Sequence, residues 1–140
     1  MVLLSVWTLF VWGGRVRNIV ADPELSQWGA IWRLSLAGSF VLLALALGAS
    51  LVSVAISSKI SNDWPYRAKG ALIAQLSALA LGGWGISVWV VRGVDISFGN
   101  HPLGFKVVHA ILAVVTIGLS AWTWLVSANR SRPEATQVDK

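Results

Sequence analysis

The stretch FKVVHAILAVVTIGLSAWTW (residues 105–124) decides the fold, because it is long and apolar and holds one titratable side chain, His109, within its apolar part. No residue in the range 107–128 carries a formal charge, whereas Lys106 precedes that range and Arg130 follows it. At about 1.5 Å of rise per residue, a helix over this range is long enough to cross roughly 30 Å of hydrocarbon. The sequence therefore predicts a transmembrane helix here, anchored by charge at both ends.

One face of this helix is small and polar. At helical spacing that face collects six residues, which we call the polar seam: His109, Ala113, Thr116, Ser120, Thr123 and Ser127. In lipid, small residues let helices approach closely, and hydroxyl groups form weak hydrogen bonds between helices. We predict that the polar seam packs against protein, either another helix or a partner chain, while Val108 and Ile111 face lipid or an apolar neighbour.

His109 is the only titratable residue within an apolar run, and such residues are functional candidates by default. It lies one turn beyond Lys106, near enough to the interface to reach water or a headgroup. We interpret it as a packing residue. Contact with a partner or lipid, and proton or haem chemistry, are the alternatives.

The composition indicates an integral membrane protein. Hydrophobic residues make up 56% of the chain, charged residues make up 12%, and the mean hydropathy is +0.69, whereas about a quarter of an ordinary soluble domain is charged. Four apolar runs bounded by charge predict an all-α, integral membrane four-helix bundle over residues 1–128, followed by a polar, flexible tail over residues 129–140. The predicted spans are residues 2–20, 34–58, 71–91 and 107–128.

The first span is the shortest. Arg15 and Arg17 must extend to the interface if its helix crosses the membrane. A helix that lies in the interface is the alternative.

The connections are predicted from the same charge boundaries. Residues 24–33 have the pattern of a short amphipathic turn on the membrane surface, and residues 59–70 form a polar connection. Residues 92–106 are predicted to form an ordered loop that touches the headgroups. Its candidates for contact are Arg92, Asp95 and His101.

The third span adds packing candidates. Ala74, Ala78 and Gly82 form a stripe of small residues, and the glycines that follow favour a close-packed patch over a bend. Gln75 lies one turn inside the span. We predict an interhelical hydrogen bond or a reach to the interface for its amide, rather than a role in transport.

A short internal duplication is visible. The segments WGGR (residues 12–15) and WVVR (residues 89–92) each close a span, and a polar linker, a basic residue and another span follow each of them; these basic residues are Arg33 and Lys106. The pattern predicts two helical hairpins of the same orientation, related by an axis along the membrane normal.

The residue inventory excludes several functions. The net charge is +5 and the pI is about 10.5, but most Lys and Arg residues flank apolar runs, so we predict no nucleic-acid binding. There is no cysteine, and two histidines in neighbouring segments suit neither a metal nor a haem, so we predict no cofactor. No nucleophile with a base and an orienting group is recognisable, and the chain is predicted not to be an enzyme.

Charge decides the orientation only narrowly. The first and third connections hold five Lys and Arg residues, against six in the second connection and the tail. We favour cytoplasmic termini in a multi-pass protein of the plasma (inner) membrane. Dual insertion, as in small multidrug transporters, is the alternative.

The segments VVRGVDI (residues 90–96) and GFKVVHAILAVV (residues 104–115), with His101 between them, resemble small four-helix membrane proteins of actinobacteria whose function is unassigned. The resemblance implies a host group and a membrane location. It implies no catalytic residue.

These observations favour a non-enzymatic accessory or assembly subunit of a larger membrane complex, with a lipid transporter, a cell-envelope assembly or a respiratory assembly as host. The predicted partners are other integral membrane subunits and membrane lipids. The alternative is a small homo-oligomeric transporter of lipids or small hydrophobic molecules, although no carboxylate for proton coupling lies in a predicted span.

Overall fold

The computed structural model describes the backbone of residues 1–60 and 64–130, which form four α-helices without a strand in these ranges. The helices are α1 (Val2–Val20), α2 (Gln27–Ile60), α3 (Trp64–Phe98) and α4 (Leu103–Arg130). The predicted all-α, four-helix fold is confirmed. The predicted tail differs at its start, because α4 continues through residue 130, and the rest of the tail lies outside the described residues.

The helices pack in chain order into a closed ring. α1 packs against α2, α2 against α3 and α3 against α4, and a smaller contact between α4 and α1 completes the ring. Short connections between neighbours give the up-down-up-down topology of a four-helix bundle.

Three helices are long and apolar enough to cross a membrane, over Gln27–Ser57, Lys69–Phe98 and Leu103–Ser127. α1, which contains Arg15 and Arg17, is not among them. It nevertheless lies along α2. Ser5 contacts Ala44 of that helix, and Trp12 contacts Phe40, one turn before Ala44. This side-by-side packing makes α1 part of the bundle.

The predicted surface turn at residues 24–33 is wrong, because most of it is the first part of α2. Ser26 precedes the helix, and its Oγ accepts a hydrogen bond of 3.2 Å from the Gly29 backbone N–H. This is the geometry of an N-cap, which satisfies a donor that the first turn leaves free. Arg33 therefore lies within a helix.

The predicted loop at residues 92–106 is also wrong. α3 continues to Phe98, and only residues 99–102 connect it to α4. The sequence between Arg92 and Phe98 contains no proline, whereas Gly99 and Pro102 bound the connection. The predicted connection at residues 59–70 is also too long, since α2 reaches Ile60 and α3 begins at Trp64.

The apolar core is formed mainly by α1, α2 and α3. Its buried members are Leu4, Trp12, Ala37, Phe40, Ala44, Leu47, Ala78 and Leu81. The alanines bring the helix backbones close, and the larger side chains fill the space between them.

Candidate functional site

The polar seam of α4 faces the inside of the bundle. Its hydroxyl residues Thr116, Ser120, Thr123 and Ser127 are buried, and Ser120 is completely inaccessible. Ala113 and His109, nearer the start of the helix, are half-buried. The seam is therefore occupied by helices of this chain, which makes it a poor surface for a partner.

Glycines of α3 explain how the seam fits. A Cβ atom built on Gly82 would lie 2.9 Å from Trp124 Nε1 and 3.4 Å from Ser120 Cβ. A Cβ atom on Gly85 would lie 3.4 Å from Thr116 Cγ2. The glycine patch is thus a surface of close helix contact, and the helix runs through it without interruption. Of the other packing candidates in α3, Ala78 is fully buried and Gln75 is half-buried.

Most seam hydroxyls are satisfied within α4 itself. Thr116, Ser120 and Ser127 each donate a hydrogen bond of 2.8 Å to the carbonyl oxygen four residues earlier. Such bonds let a hydroxyl enter an apolar interior without leaving its donor unpaired.

Hydrogen bonds between helices tie the bundle together, and the sequence analysis did not predict the following ones. Ser5 Oγ donates to the Ala44 carbonyl oxygen at 2.7 Å and ties α1 to α2. Trp84 Nε1 donates to Ser39 Oγ at 3.0 Å and ties α3 to α2. Trp7 Nε1 donates to Thr116 Oγ1 at 3.0 Å and closes the ring between α1 and α4. These pairs are distant in sequence, so no local pattern could have indicated them.

An aromatic layer crosses the bundle. The rings of Trp12 and Phe40 are stacked, with centroids 4.0 Å apart and planes 9° apart. The Trp84 ring also lies near Phe40, with a centroid separation of 6.1 Å. The layer joins α1, α2 and α3.

His109 lies beside a cleft between α3 and α4. Its Nδ1 is 2.8 Å from the Phe105 carbonyl oxygen, and because a carbonyl can only accept, Nδ1 is the donor in this bond. The cleft has a volume of about 260 Å³, and Trp89, Lys106 and Ala113 are among its lining residues. Trp89 is buried, and its Nε1 has no hydrogen-bond partner in the part of the chain that the structure describes.

The three predicted loop residues are divided between two elements. Arg92 and Asp95 are on the last turns of α3, where Arg92 Nη1 lies 3.7 Å from Asp95 Oδ2 across one helical turn. His101 is in the short connection, with its ring centroid 4.8 Å from that of Phe105. Lys106 also acts at this end, since its Nζ donates to the Ser97 carbonyl oxygen at 3.0 Å and satisfies an acceptor of the last turn of α3.

Arg15, which the sequence analysis treated as an anchor, follows the buried face of its helix. It is half-buried and lies between the buried residues Trp12 and Ile19, three positions after one and four before the other. Extending the spacing of the buried face past the apolar run would have placed it on the inward side. Arg33 lies one turn before the fully buried Ala37 but is itself exposed.

Arg92 repeats the position of Arg15 on α3. It lies three residues after Trp89 and four before Ile96, both of which are buried. Arg15, Arg33 and Arg92 all lie toward the end of the bundle that carries the α1–α2 and α3–α4 connections.

The described residues contain no group of three metal-ligating side chains close enough to hold an ion. No family model, curated protein or solved structure matches the chain. The fold alone therefore gives the class: a four-helix bundle with three helices able to cross a membrane.

Proposed function

We propose that this chain is a non-enzymatic accessory or assembly subunit of a larger complex in the plasma (inner) membrane, with both termini on the cytoplasmic side. The observation that carries the proposal is the closed interior. Leu4, Phe40, Leu47, Leu81 and Ser120 are each less than 2% exposed. Because the helices fill the interior with contacts among themselves, we expect other molecules to bind at the outer surface of the bundle.

The burial of the polar seam changes where a partner would bind. On α4 the face opposite the seam is exposed and apolar, with Val114 70% and Leu125 64% accessible. Between these two side chains lies Gly118, on which a Cβ atom would meet no atom within 4 Å. Because Gly118 has no side chain, a neighbouring transmembrane helix could approach this face closely, and we propose it as the partner contact.

The test is extraction of the native protein with a gentle detergent, followed by sizing and mass spectrometry. The proposal expects unrelated membrane subunits to copurify with the chain. Replacing Gly118 by Leu should release them while the bundle still folds. The matched control is Gly14→Leu on α1, where a Cβ atom likewise meets nothing within 4 Å. If both variants retain the partners, the α4 face is not the contact. If no partner copurifies with the wild type, the accessory-subunit proposal is overturned.

A homo-oligomeric transporter is the second candidate, and one observation favours it. The cleft between α3 and α4 is lined by apolar residues together with Lys106 and His109, a mixture that suits an amphipathic molecule. Recovery of copies of this chain alone, in a defined oligomer, would support the transporter over the accessory subunit.

Reaction of introduced cysteines with an impermeant reagent tests the topology. Cysteines at Ser26 and Ser97 should react from one side, because both residues are exposed near the α1–α2 and α3–α4 connections. A cysteine at the exposed Lys69 should react from the other side. Reaction of Ser26 and Ser97 from opposite sides would contradict the four-span arrangement.

A further inference from the structure

The contact between α3 and α4 opens toward the end of the bundle where these two helices are connected. A Cβ atom on Gly82 or Gly85 would lie 2.9 Å or 3.4 Å from a side chain of α4, whereas a Cβ atom on Gly93 would meet no atom within 4 Å. Gly93, Ala110 and Ala113 all line the cleft of about 260 Å³ described above. The cleft exists because these small residues do not fill the space between the two helices.

A buried hydrogen-bond donor lines this cleft. Trp89 is 7% exposed, and its Nε1 has no partner in the described residues. By contrast, the indoles of Trp7 and Trp84 each donate a hydrogen bond of 3.0 Å to a hydroxyl group of another helix. An unpaired N–H is costly in a membrane, because no water replaces the missing acceptor. Trp89 therefore calls for an acceptor that the described residues do not supply.

Lys106 brings a positive charge to the same cleft. Its ammonium group has three donors, one of which is used in the 3.0 Å bond to the Ser97 carbonyl oxygen. The one ion pair in the described residues joins Arg92 to Asp95, so no carboxylate in this part of the chain pairs with Lys106. An anionic oxygen in the cleft would offset the charge and accept from a remaining donor.

The rest of the lining is largely apolar, and part of it is exposed on the outside of the bundle. Ile96 of α3 is buried, whereas Val107 and Ala110 of α4 are exposed. The ring centroids of Trp89 and His109 are 6.4 Å apart, so side chains of both helices flank the cleft. An acyl chain from the bilayer can therefore lie against these side chains while its head group reaches the polar ones.

The donors and the size of the cleft narrow the class of ligand. Trp89 and Lys106 provide one donor for each of the two oxygens of a carboxylate. No arginine, the side chain that best matches phosphate, is among the described residues that line the cleft. At about 260 Å³, the cleft is smaller than the roughly 300–1,000 Å³ of pockets for drug-sized ligands. It suits one head group and the start of a single chain better than a lipid with two chains.

We propose that the cleft between α3 and α4 binds a fatty acid, with the carboxylate at Trp89 and Lys106 and the start of the acyl chain against Ile96 and Val107. Because Nε1 is buried, the indole turns toward the open space at Gly93 as the carboxylate enters. The inference goes beyond the accessory-subunit proposal and does not require the chain to be a transporter. Binding is measured on the purified chain, whereas copurification decides the accessory-subunit proposal, so either can fail without the other.

The test is native mass spectrometry of the purified full chain, titrated with palmitate and, separately, with methyl palmitate, which has the same chain but no charge. Palmitate should bind about tenfold more tightly, because only its head group carries a charge that pairs with Lys106. Lys106→Gln keeps a donor for the Ser97 carbonyl oxygen. It should weaken palmitate binding by about tenfold and leave the binding of methyl palmitate nearly unchanged. Equal affinities of the wild type for the two ligands would overturn the proposal.

Two tryptophan variants separate ligand binding from structural support. Trp89→Phe removes the unpaired N–H and keeps an aromatic ring, so it should weaken palmitate binding by about tenfold. Trp84→Phe is the matched control, because the N–H that it removes is bonded to Ser39 of α2. Palmitate should raise the unfolding temperature of the wild type and of Trp84→Phe, but not that of Trp89→Phe, since a ligand stabilises only the state that binds it. Equal responses of the two variants would contradict the role of the Trp89 N–H and overturn the proposal.

A leucine at Gly93 tests the location of the site. Its side chain has open space and should fill the cleft without separating the helices, so Gly93→Leu should fold and lose palmitate binding by about tenfold or more. Gly14→Leu adds the same side chain at another open position, on α1, and should bind palmitate as the wild type does. Retention of binding by Gly93→Leu, or an equal loss in Gly14→Leu, would overturn the proposal.

Phosphatidylglycerol with palmitoyl chains separates a fatty acid from an anionic lipid with two chains. Weaker binding than that of palmitate supports the fatty acid as the ligand. Tighter binding that is lost in Gly93→Leu would place a phospholipid in the cleft and overturn the fatty-acid assignment.

Discussion

Replacing Ser120 by Leu should destabilise the bundle by forcing α3 and α4 apart. Ser120 is completely buried, and its Cβ atom lies 3.4 Å from the position that a Cβ atom on Gly82 would take. Its Oγ lies 3.8 Å from the equivalent position on Gly85. The neighbour on this side is therefore backbone, which cannot rotate away as a side chain can. A leucine has no free volume to enter without separating the helices.

Two contributions set the magnitude. Overpacking of a well-packed interior costs about 1 to 3 kcal/mol, and the backbone neighbours place Ser120→Leu in the upper half of that range. Loss of the 2.8 Å hydrogen bond from Ser120 Oγ to the Thr116 carbonyl oxygen adds little, because the helix still provides a backbone donor to that oxygen. We expect a loss of about 2 to 3 kcal/mol in the free energy of unfolding.

Equilibrium unfolding in mixed micelles, with increasing dodecyl sulfate and tryptophan fluorescence as the signal, measures this loss. Ser120→Ala removes the hydroxyl without adding volume and should cost less than about 1 kcal/mol. Ala121→Leu adds comparable volume one residue away at an exposed position and should be nearly neutral. Equal effects of Ser120→Leu and Ala121→Leu would refute the reasoning, because the two sites would then be equally open.

The same unfolding assay tests three smaller effects. Trp7→Phe and Thr116→Val should show a coupling of about 0.6 kcal/mol in a double-mutant cycle, the usual strength of a hydrogen bond between membrane helices, and additive effects would contradict the Trp7–Thr116 bond. Phe40→Ala should cost about 3 to 5 kcal/mol because it leaves a cavity beside Trp12, and a cost below about 1 kcal/mol would show that the aromatic layer collapses freely. Ser5→Ala should cost up to about 1.7 kcal/mol through loss of its bond to α2, whereas no measurable change would mean that the bond contributes nothing.

The sequence predicted the number and order of the helices because hydropathy reports directly on burial in lipid. It misplaced several helix ends because charge marks where a membrane stops and not where a helix stops. Arg33 marked the start of one predicted span and Arg92 the end of another, yet neither residue breaks a helix, and α2 and α3 include them. The true boundaries coincide with the Ser26 cap and the residues around Gly99 and Pro102, which act on the backbone itself.

The candidate site was predictable in part. The spacing of Thr116, Ser120 and Ser127 identified a face that is now seen to be buried, but a single sequence does not tell whether the covering helix belongs to the same chain. Ala113 shows a further limit, because it shares the spacing of Ser120 yet lines a cleft. A leucine at Ala113 therefore has space that Ser120 lacks. The spacing of residues in the sequence shows which face of a helix they share. How tightly each residue is packed depends on the helix that lies against it.

The bond between Trp7 and Thr116 has a consequence for biosynthesis. Its two residues are 109 positions apart, so the first helix leaves the ribosome long before its partner exists. α1 can pair with α2 once both have been inserted, but its other side stays open until α4 has been translated. Another membrane protein inserted next to α1 during that interval would compete with α4 for the same face. The order of synthesis thus makes closure of the ring the last step of folding, and the step most sensitive to crowding at the insertion site.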